Sequence, residues 1–155
     1  MCAGSSARGD LAALDWPPVW TLFLVVMAYL VSVLCARDSP CLLILGAHVW
    51  LAAVRFAVWA ACTMRRARTT VIPRRDPSAL VTGGPFAFTR NPIYVADLVA
   101  VVGFALIFGQ PFAAILAVPL FLVLDRRFAG PEEARLAALF GAAFDAYRAK
   151  VRRWV

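Results

Sequence analysis

Long apolar segments alternate with short polar segments along most of this chain. Segments of this kind predict helices that cross a lipid bilayer, because a span needs roughly 20 mainly apolar residues. The pattern predicts four spans, at about 16–36, 41–64, 92–108 and 112–128. We therefore expect an all-α integral membrane protein with about four transmembrane helices. Residues 1–15 form a polar N-terminal tail, and residues 16–155 form a single domain.

The composition and the distribution of charge support this interpretation. The 155 residues are 63% hydrophobic, with a mean hydropathy of +0.77 and a net charge of +7. Six of the basic residues lie within 65–91 and seven lie from Arg126 onward. The positive-inside rule places both segments, and both termini, in the cytosol, so the bilayer explains the charge better than a nucleic acid does. The cysteines show no metal-ligand spacing, and no metal is expected.

The C-terminal tail predicts an amphipathic cytosolic helix. Gly130 fits a cap and Pro131 fits the first helical position, with Glu132 and Glu133 in the first turn. Apolar residues then recur at intervals of three and four up to Val151. Two acids there can simply stabilise the helix N-terminus, by about 0.3–1 kcal/mol each. The apolar face can also lie on a membrane surface.

The stretch Leu80–Leu98 passes from a turn-rich loop into an apolar helix. Gly83 and Gly84 allow positive φ or a close backbone approach, and Pro92 is suited to open the helix. Arg90 then lies just outside the helix, at the membrane surface. A loop that simply re-enters the membrane would share this order of residues.

Two charged residues, Arg55 and Asp97, fall inside predicted spans. At 1.5 Å per residue, Arg55 lies ~13 Å and Asp97 ~7 Å from the cytosolic ends of their spans. Charges in lipid are seldom unpaired, so we expect the two to face each other or a shared polar cavity. His48, the single histidine, is expected to pack between helices rather than to catalyse.

Two motifs carry a resemblance to a known family. Arg-Asn-Pro-Ile-Tyr at 90–94 is followed by a span, a turn and a second span, and then by Pro131-Glu-Glu, Phe140-Gly141 and Arg153-Trp154. This order resembles the isoprenylcysteine carboxyl methyltransferase family, whose relatives include the phospholipid N-methyltransferases. The resemblance covers roughly residues 65–155. It implies a membrane enzyme that transfers a methyl group from S-adenosylmethionine to a lipophilic acceptor entering from the bilayer.

The resemblance also implies roles for individual residues. Glu132 would hold the ammonium group of the cofactor and Phe86 would pack against it, while Arg90, with Arg127 or Lys150, would orient an anionic acceptor. The residues expected to bind the cofactor are Val71, Ser78, Ala79, Leu80, Val81, Phe86, Asn91, Pro92, Ile93, Tyr94, Glu132 and Glu133. Asn91, Phe144 and Lys150 depart from the histidine, tyrosine and arginine usual in the family. Lysine cannot make a planar bidentate contact with a carboxylate.

Methyl transfer from a sulfonium needs alignment and exclusion of water more than it needs a strong base. A carboxylate acceptor carries its own charge, as in isoprenylcysteine carboxyl O-methylation, whereas an amine or thiol acceptor must lose a proton. Phospholipid or small-molecule N- or S-methylation is therefore the alternative within the same superfamily. A second alternative is a non-enzymatic four-helix membrane protein that binds anionic lipid or a partner. Binding of S-adenosylmethionine would distinguish the enzyme from this last candidate.

Overall fold

The computed structural model describes residues 16–35, 39–69 and 77–155, and all regular structure in these ranges is helical, as the sequence predicts. There are six α-helices in the described residues: α1 Pro17–Cys35, α2 Pro40–Arg66, α3 Pro92–Ile107, α4 Ala117–Val123, α5 Gly130–Phe140 and α6 Ala142–Lys150. Shorter turns join them: 3₁₀ turns at Gly84–Ala87 and Pro111–Leu116, and a π-helical turn at Leu124–Ala129.

Each of the three long helices α1, α2 and α3 begins at a proline. Asn91 occupies the N-cap of α3 and Pro92 its first turn, which confirms the predicted start of this helix. Ser39 is the N-cap of α2, and its side chain accepts the Leu42 N–H at 3.4 Å, whereas the Asn91 side chain makes no capping bond. Proline fits there because the first N–H groups of a helix have no partner within it.

Among the described helices, α2 alone is both long and apolar enough to cross a membrane. It has 27 residues, or roughly 40 Å at 1.5 Å per residue. Two further apolar stretches, Pro17–Leu30 and Pro92–Ile107, are shorter, so the count of four spans remains a prediction. Only 11% of the apolar window of α2 is buried within the protein. Such a large exposed apolar surface is suited to contact with lipid.

Helices α2 and α3 pack closely because small residues line their contact. Gly46, Ala53 and Ala60 are the buried positions of α2, and they recur every seven residues. A Cβ atom added at Gly46 would lie 2.6 Å from the backbone N of Ile107 and 2.8 Å from the carbonyl of Gly103. The two backbones therefore approach to a distance that only glycine allows, as small residues permit in membrane helices.

Gly46→Ala is expected to destabilise the protein by about 1–3 kcal/mol, because the added methyl group overlaps backbone atoms that cannot move aside. Thermal unfolding in detergent would measure the loss. Gly83→Ala is the matched control, since a Cβ at Gly83 meets nothing within 4 Å and its φ is −102°. Equal melting temperatures for the two variants would show that the helix contact is looser than described.

The predicted meeting of Arg55 and Asp97 is wrong. Arg55 is exposed, and no ion pair joins the two within the described residues. Arg55 lies two residues from Ala53, about 200° around the helix from the face that packs on α3. Asp97 keeps one buried carboxylate oxygen, Oδ2, with no hydrogen-bond partner among the described residues.

The tail helix α5 begins at Gly130, as the sequence predicts, but Gly130 does not cap a free helix end. Gly130 has helical φ and ψ of −59° and −55°, and its N–H bonds to the Asp125 carbonyl across the π turn. Helical structure therefore continues from Pro111 to Phe140. Pro131 has no N–H to give to an α-helical bond, and the wider π turn directly before it accommodates that loss.

The tail forms two helices rather than the single one predicted. Gly141 separates α5 from α6 with a φ of +47°, which favours glycine. After this turn, Phe144 and Tyr147 are buried at 1% and 7% exposure. Residues 151–155 then return to the loop before α3, where the site lies.

Candidate active site

A cavity of about 200 Å³ lies at the end of the helices where α1 and α3 begin and α2 ends. Trp16 and Met64 form part of its wall, and the loop before α3 and helices α5 and α6 form the rest. The predicted site residues that line it are Ala79, Leu80, Val81, Phe86, Arg90, Asn91, Pro92, Ile93, Tyr94, Glu132 and Glu133. Loop and tail residues far apart in sequence therefore meet at one cavity.

Three predicted residues lie outside this cavity, and a fourth falls outside the described residues. Lys150 is exposed at the end of α6, and Arg127 lines a separate notch of about 40 Å³ beside Glu132. Ser78 is exposed, and its hydroxyl donates to the Arg68 carbonyl at 2.6 Å. Val71 lies outside the described residues.

His48 is distant from the cavity. It sits between Gly46 and Trp50, both of which contact Gly103, 11 residues from the start of α3. At 1.5 Å per residue this is about 16 Å from the cavity end of the helix. His48 Nδ1 lies 2.7 Å from the Ile44 carbonyl in its own helix, and the side chain is exposed, so the predicted packing between helices is wrong.

The loop before α3 is held against the tail by aromatic residues. Gly84 adopts a φ of +63° where a Cβ would lie 3.2 Å from the Thr63 hydroxyl, so glycine is needed for the turn. Phe86 follows and is 9% exposed. The Tyr147 hydroxyl donates to the Phe86 carbonyl at 2.7 Å. This bond fixes the loop wall of the cavity to α6.

Burial raises the pKa of Tyr147 to about 12 from its ordinary value of 10.0, and the phenol remains a donor at neutral pH. Because the folded state holds this proton more tightly, its contribution is complete below pH 10 and is lost as pH rises towards about 12. Tyr147→Phe should lack this alkaline loss and be less stable by ~1 kcal/mol at neutral pH. Melting temperatures across this range would test it, with the exposed Tyr29→Phe as control. If the melting temperatures of wild type and Tyr147→Phe change with pH in the same way, this prediction is wrong.

Glu132 and Glu133 have different surroundings. The Tyr94 hydroxyl donates to Glu132 Oε1 at 2.8 Å, and both residues line the cavity. Glu133 instead accepts two bonds from Arg153, at 3.0 Å from Nε and 2.8 Å from Nη2. These bonds raise the pKa of Arg153 above its ordinary value. Glu132 and Tyr94 thus form one polar part of the cavity wall, and Glu133 is held by Arg153.

Arg90 is one of the more enclosed charges at the site, with 14% of its side chain exposed. Its Nη1 lies 3.4 Å from Glu133 Oε2. Its buried Nε, like the buried Oγ1 of Thr69, bonds to none of the described residues. Both residues line the cavity. Buried polar atoms are normally paired, so the cavity wall retains capacity to bind a polar ligand.

The sequence did not predict the residues outside the cavity that hold the loop before α3 in place. Arg153 also donates from Nη1 to Asp125 Oδ1 at 3.1 Å, and Trp154 Nε1 donates to the same oxygen at 3.0 Å. Arg153-Trp154 belonged to the motif that carried the resemblance, but no role was assigned to it. Asp125 was a possible signal, because it is an acid at the end of an apolar run and precedes two arginines.

Comparison with known proteins agrees with the motifs. A model of the phospholipid methyltransferase family matches residues 41–143, about two thirds of the chain. This match extends through the loop, α3 and the two glutamates of α5. No curated protein matches the chain significantly. The resemblance to the membrane methyltransferases is therefore confirmed. The chain belongs to the phospholipid methyltransferase family, within the group of membrane methyltransferases that includes the isoprenylcysteine carboxyl methyltransferases.

Proposed function

We propose that this protein transfers a methyl group from S-adenosylmethionine to a lipophilic acceptor at the cytosolic face of a membrane. The observation that carries the proposal is one cavity, at the end of an apolar helix bundle, that holds both a carboxylate, Glu132, and a guanidinium, Arg90. Membership of a methyltransferase family supports methyl transfer as the reaction at this cavity. The charge distribution supports a multi-pass topology with the cavity and both termini in the cytosol.

The lining of the cavity fits S-adenosylmethionine, which combines charged and apolar parts. Glu132 would hold its ammonium group, through a hydrogen bond strengthened by charge. Phe86 and the backbone of 79–81 would enclose its less polar parts. When bound, the cofactor supplies an activated methyl group on a sulfonium sulfur. The chain itself needs to align the acceptor and exclude water.

We favour a carboxylate as the accepting group, as in isoprenylcysteine carboxyl O-methylation. Arg90 would orient the carboxylate with its fork of N–H donors. Its buried Nε, which bonds to none of the described residues, supports this role. A carboxylate oxygen attacks without losing a proton, so no base is required. Neither histidine nor lysine is among the described residues that line the cavity.

N-methylation of a phospholipid amine is the second candidate, and the family match favours it. An ammonium headgroup would be drawn to the carboxylates in the cavity, Glu132 and Glu133. Such an acceptor must lose a proton before it attacks the methyl group, and Glu132 in the cavity wall would accept that proton. The amine would then compete with the cofactor for the same carboxylate.

An assay with methyl-labelled S-adenosylmethionine tests the proposal. Purified protein in lipid nanodiscs would be incubated with a prenylated cysteine, with the same compound as its methyl ester, and with phosphatidylethanolamine. We expect label in the free carboxylate and none in the ester. Label in phosphatidylethanolamine alone would support the second candidate. If the protein binds no S-adenosylmethionine at micromolar concentration, the enzyme proposal fails and a non-enzymatic role takes its place.

A further inference from the structure

We propose that Arg153 is a positioning residue of this active site, which holds Glu133 so that Glu133 in turn holds the guanidinium of Arg90 at the cavity wall. The inference rests on the proposed function, because it assumes that Arg90 orients the acceptor. Arg153 does not line the cavity itself, so its action on the reaction is through Arg90.

Glu133 lies between the two arginines, and their distances to it differ. Arg153 binds both carboxylate oxygens, at 3.0 and 2.8 Å, in a bidentate pair. Arg90 reaches Oε2 at 3.4 Å with one nitrogen. The shorter, two-point contact sets the orientation of the carboxylate, and Arg90 is guided by that orientation. With both oxygens bound to arginines, Glu133 serves Arg90 better than it would serve a cofactor.

Arg153 is itself fixed from the opposite side. Its Nη1 donates to Asp125 in the π turn, and Trp154 donates to the same oxygen. The Trp154 ring packs on Phe121 of α4, with centroids 4.8 Å apart. A guanidinium held by two carboxylates on different helical segments has little freedom to rotate. Glu133 therefore receives a fixed partner.

The backbone of the same tail segment also sets the position of the Arg90 main chain. The Arg153 carbonyl accepts from the Thr89 hydroxyl at 2.9 Å and from Asn91 Nδ2 at 3.1 Å. The N–H of Arg90 donates to the Arg152 carbonyl at 3.0 Å. The residues on both sides of Arg90 are thus tied to Arg153. The tail therefore positions the main chain of Arg90 through these bonds and its guanidinium through Glu133.

The test compares Arg153→Ala with Arg148→Ala in the methyl-transfer assay. Arg148 also pairs with a carboxylate, Asp145 at 3.0 Å, but both side chains are more than half exposed, at 56% and 58%. We expect Arg153→Ala to lower kcat by about 10-fold, because misplacing a reacting group slows turnover steeply, while cofactor affinity changes little. Arg153→Lys should recover part of kcat. Arg148→Ala should match wild type.

A double-variant cycle separates positioning from general stability. If Arg153 acts through Arg90, removing Arg153 from an Arg90→Ala protein should have little further effect on kcat. A second loss of about 10-fold in that background would overturn the inference, since independent effects multiply. So would wild-type kcat in Arg153→Ala. A wild-type protein with no methyl transfer would instead refute the proposed function, and the two failures are therefore distinguishable.

Discussion

Replacing Arg90 with alanine is expected to lower turnover by ~10²-fold or more, because an acceptor displaced from its aligned position loses about that much rate. The side chain is 14% exposed and lines the cavity, and its buried Nε has no hydrogen-bond partner in the part of the chain that the structure describes. Cofactor affinity should change far less, since Glu132 provides the contact expected for the cofactor. Arg90→Lys should restore only part of the rate, because a single ammonium cannot reproduce the planar fork.

Steady-state methyl transfer by purified variants measures this effect. Arg66→Ala is the control: Arg66 is exposed at the end of α2 and carries the same charge at the same end of the helices. If Arg90 serves only to hold the protein at the cytosolic surface, the two alanine variants should behave alike. Equal turnover would therefore remove Arg90 from the active site.

Glu132→Gln is expected to weaken binding of S-adenosylmethionine by ~1.5–3 kcal/mol, the usual contribution of a hydrogen bond to a charged group. The substitution keeps an oxygen that can accept from Tyr94, whose hydroxyl lies 2.8 Å from Glu132 Oε1. Folding stability should therefore change little, and the loss of charge is the main effect. The change corresponds to a fall in affinity of roughly 10- to 150-fold.

Calorimetric titration of the cofactor into each variant would measure the change. Asp145→Asn removes a carboxylate of equal charge from an exposed ion pair on α6, and its cofactor affinity should equal that of wild type. An unchanged affinity in Glu132→Gln, with only a lower melting temperature, would mean that Glu132 is simply an acid in the first turn of α5.

Helix positions were predictable where local chemistry determines them. Pro92 could be assigned to the start of α3 because proline suits only the first turn of a helix. The start of α5 at Gly130 was also predicted, but the helical turn that leads directly into it was not. A cap followed by proline and a π turn before proline produce the same local sequence, and only packing decides between them. Asp125 and Phe128, held from other parts of the chain, favour the π turn here.

The site was predictable as a set of residues but not as a set of contacts. The motifs identify Arg90, Tyr94 and Glu132, all of which line the cavity. The predicted pairing of Arg55 with Asp97 was wrong because it considered only how deep each residue lies in the membrane. It did not consider which side of its helix each residue occupies. The seven-residue spacing of the small residues Gly46, Ala53 and Ala60 indicates which side of α2 faces α3. The role of Arg153 required the tertiary return of the tail, which no local pattern encodes.

The bonds that tie the tail to the loop are made largely to carbonyl oxygens of Arg152 and Arg153. Every residue type offers the same carbonyl, so these bonds depend on chain register rather than on side-chain identity. One residue inserted or deleted between Gly141 and Arg153 would move each carbonyl by about 3.8 Å, the distance between successive Cα atoms. The length of α6 is therefore under strict constraint, whereas residue type can vary at its exposed positions.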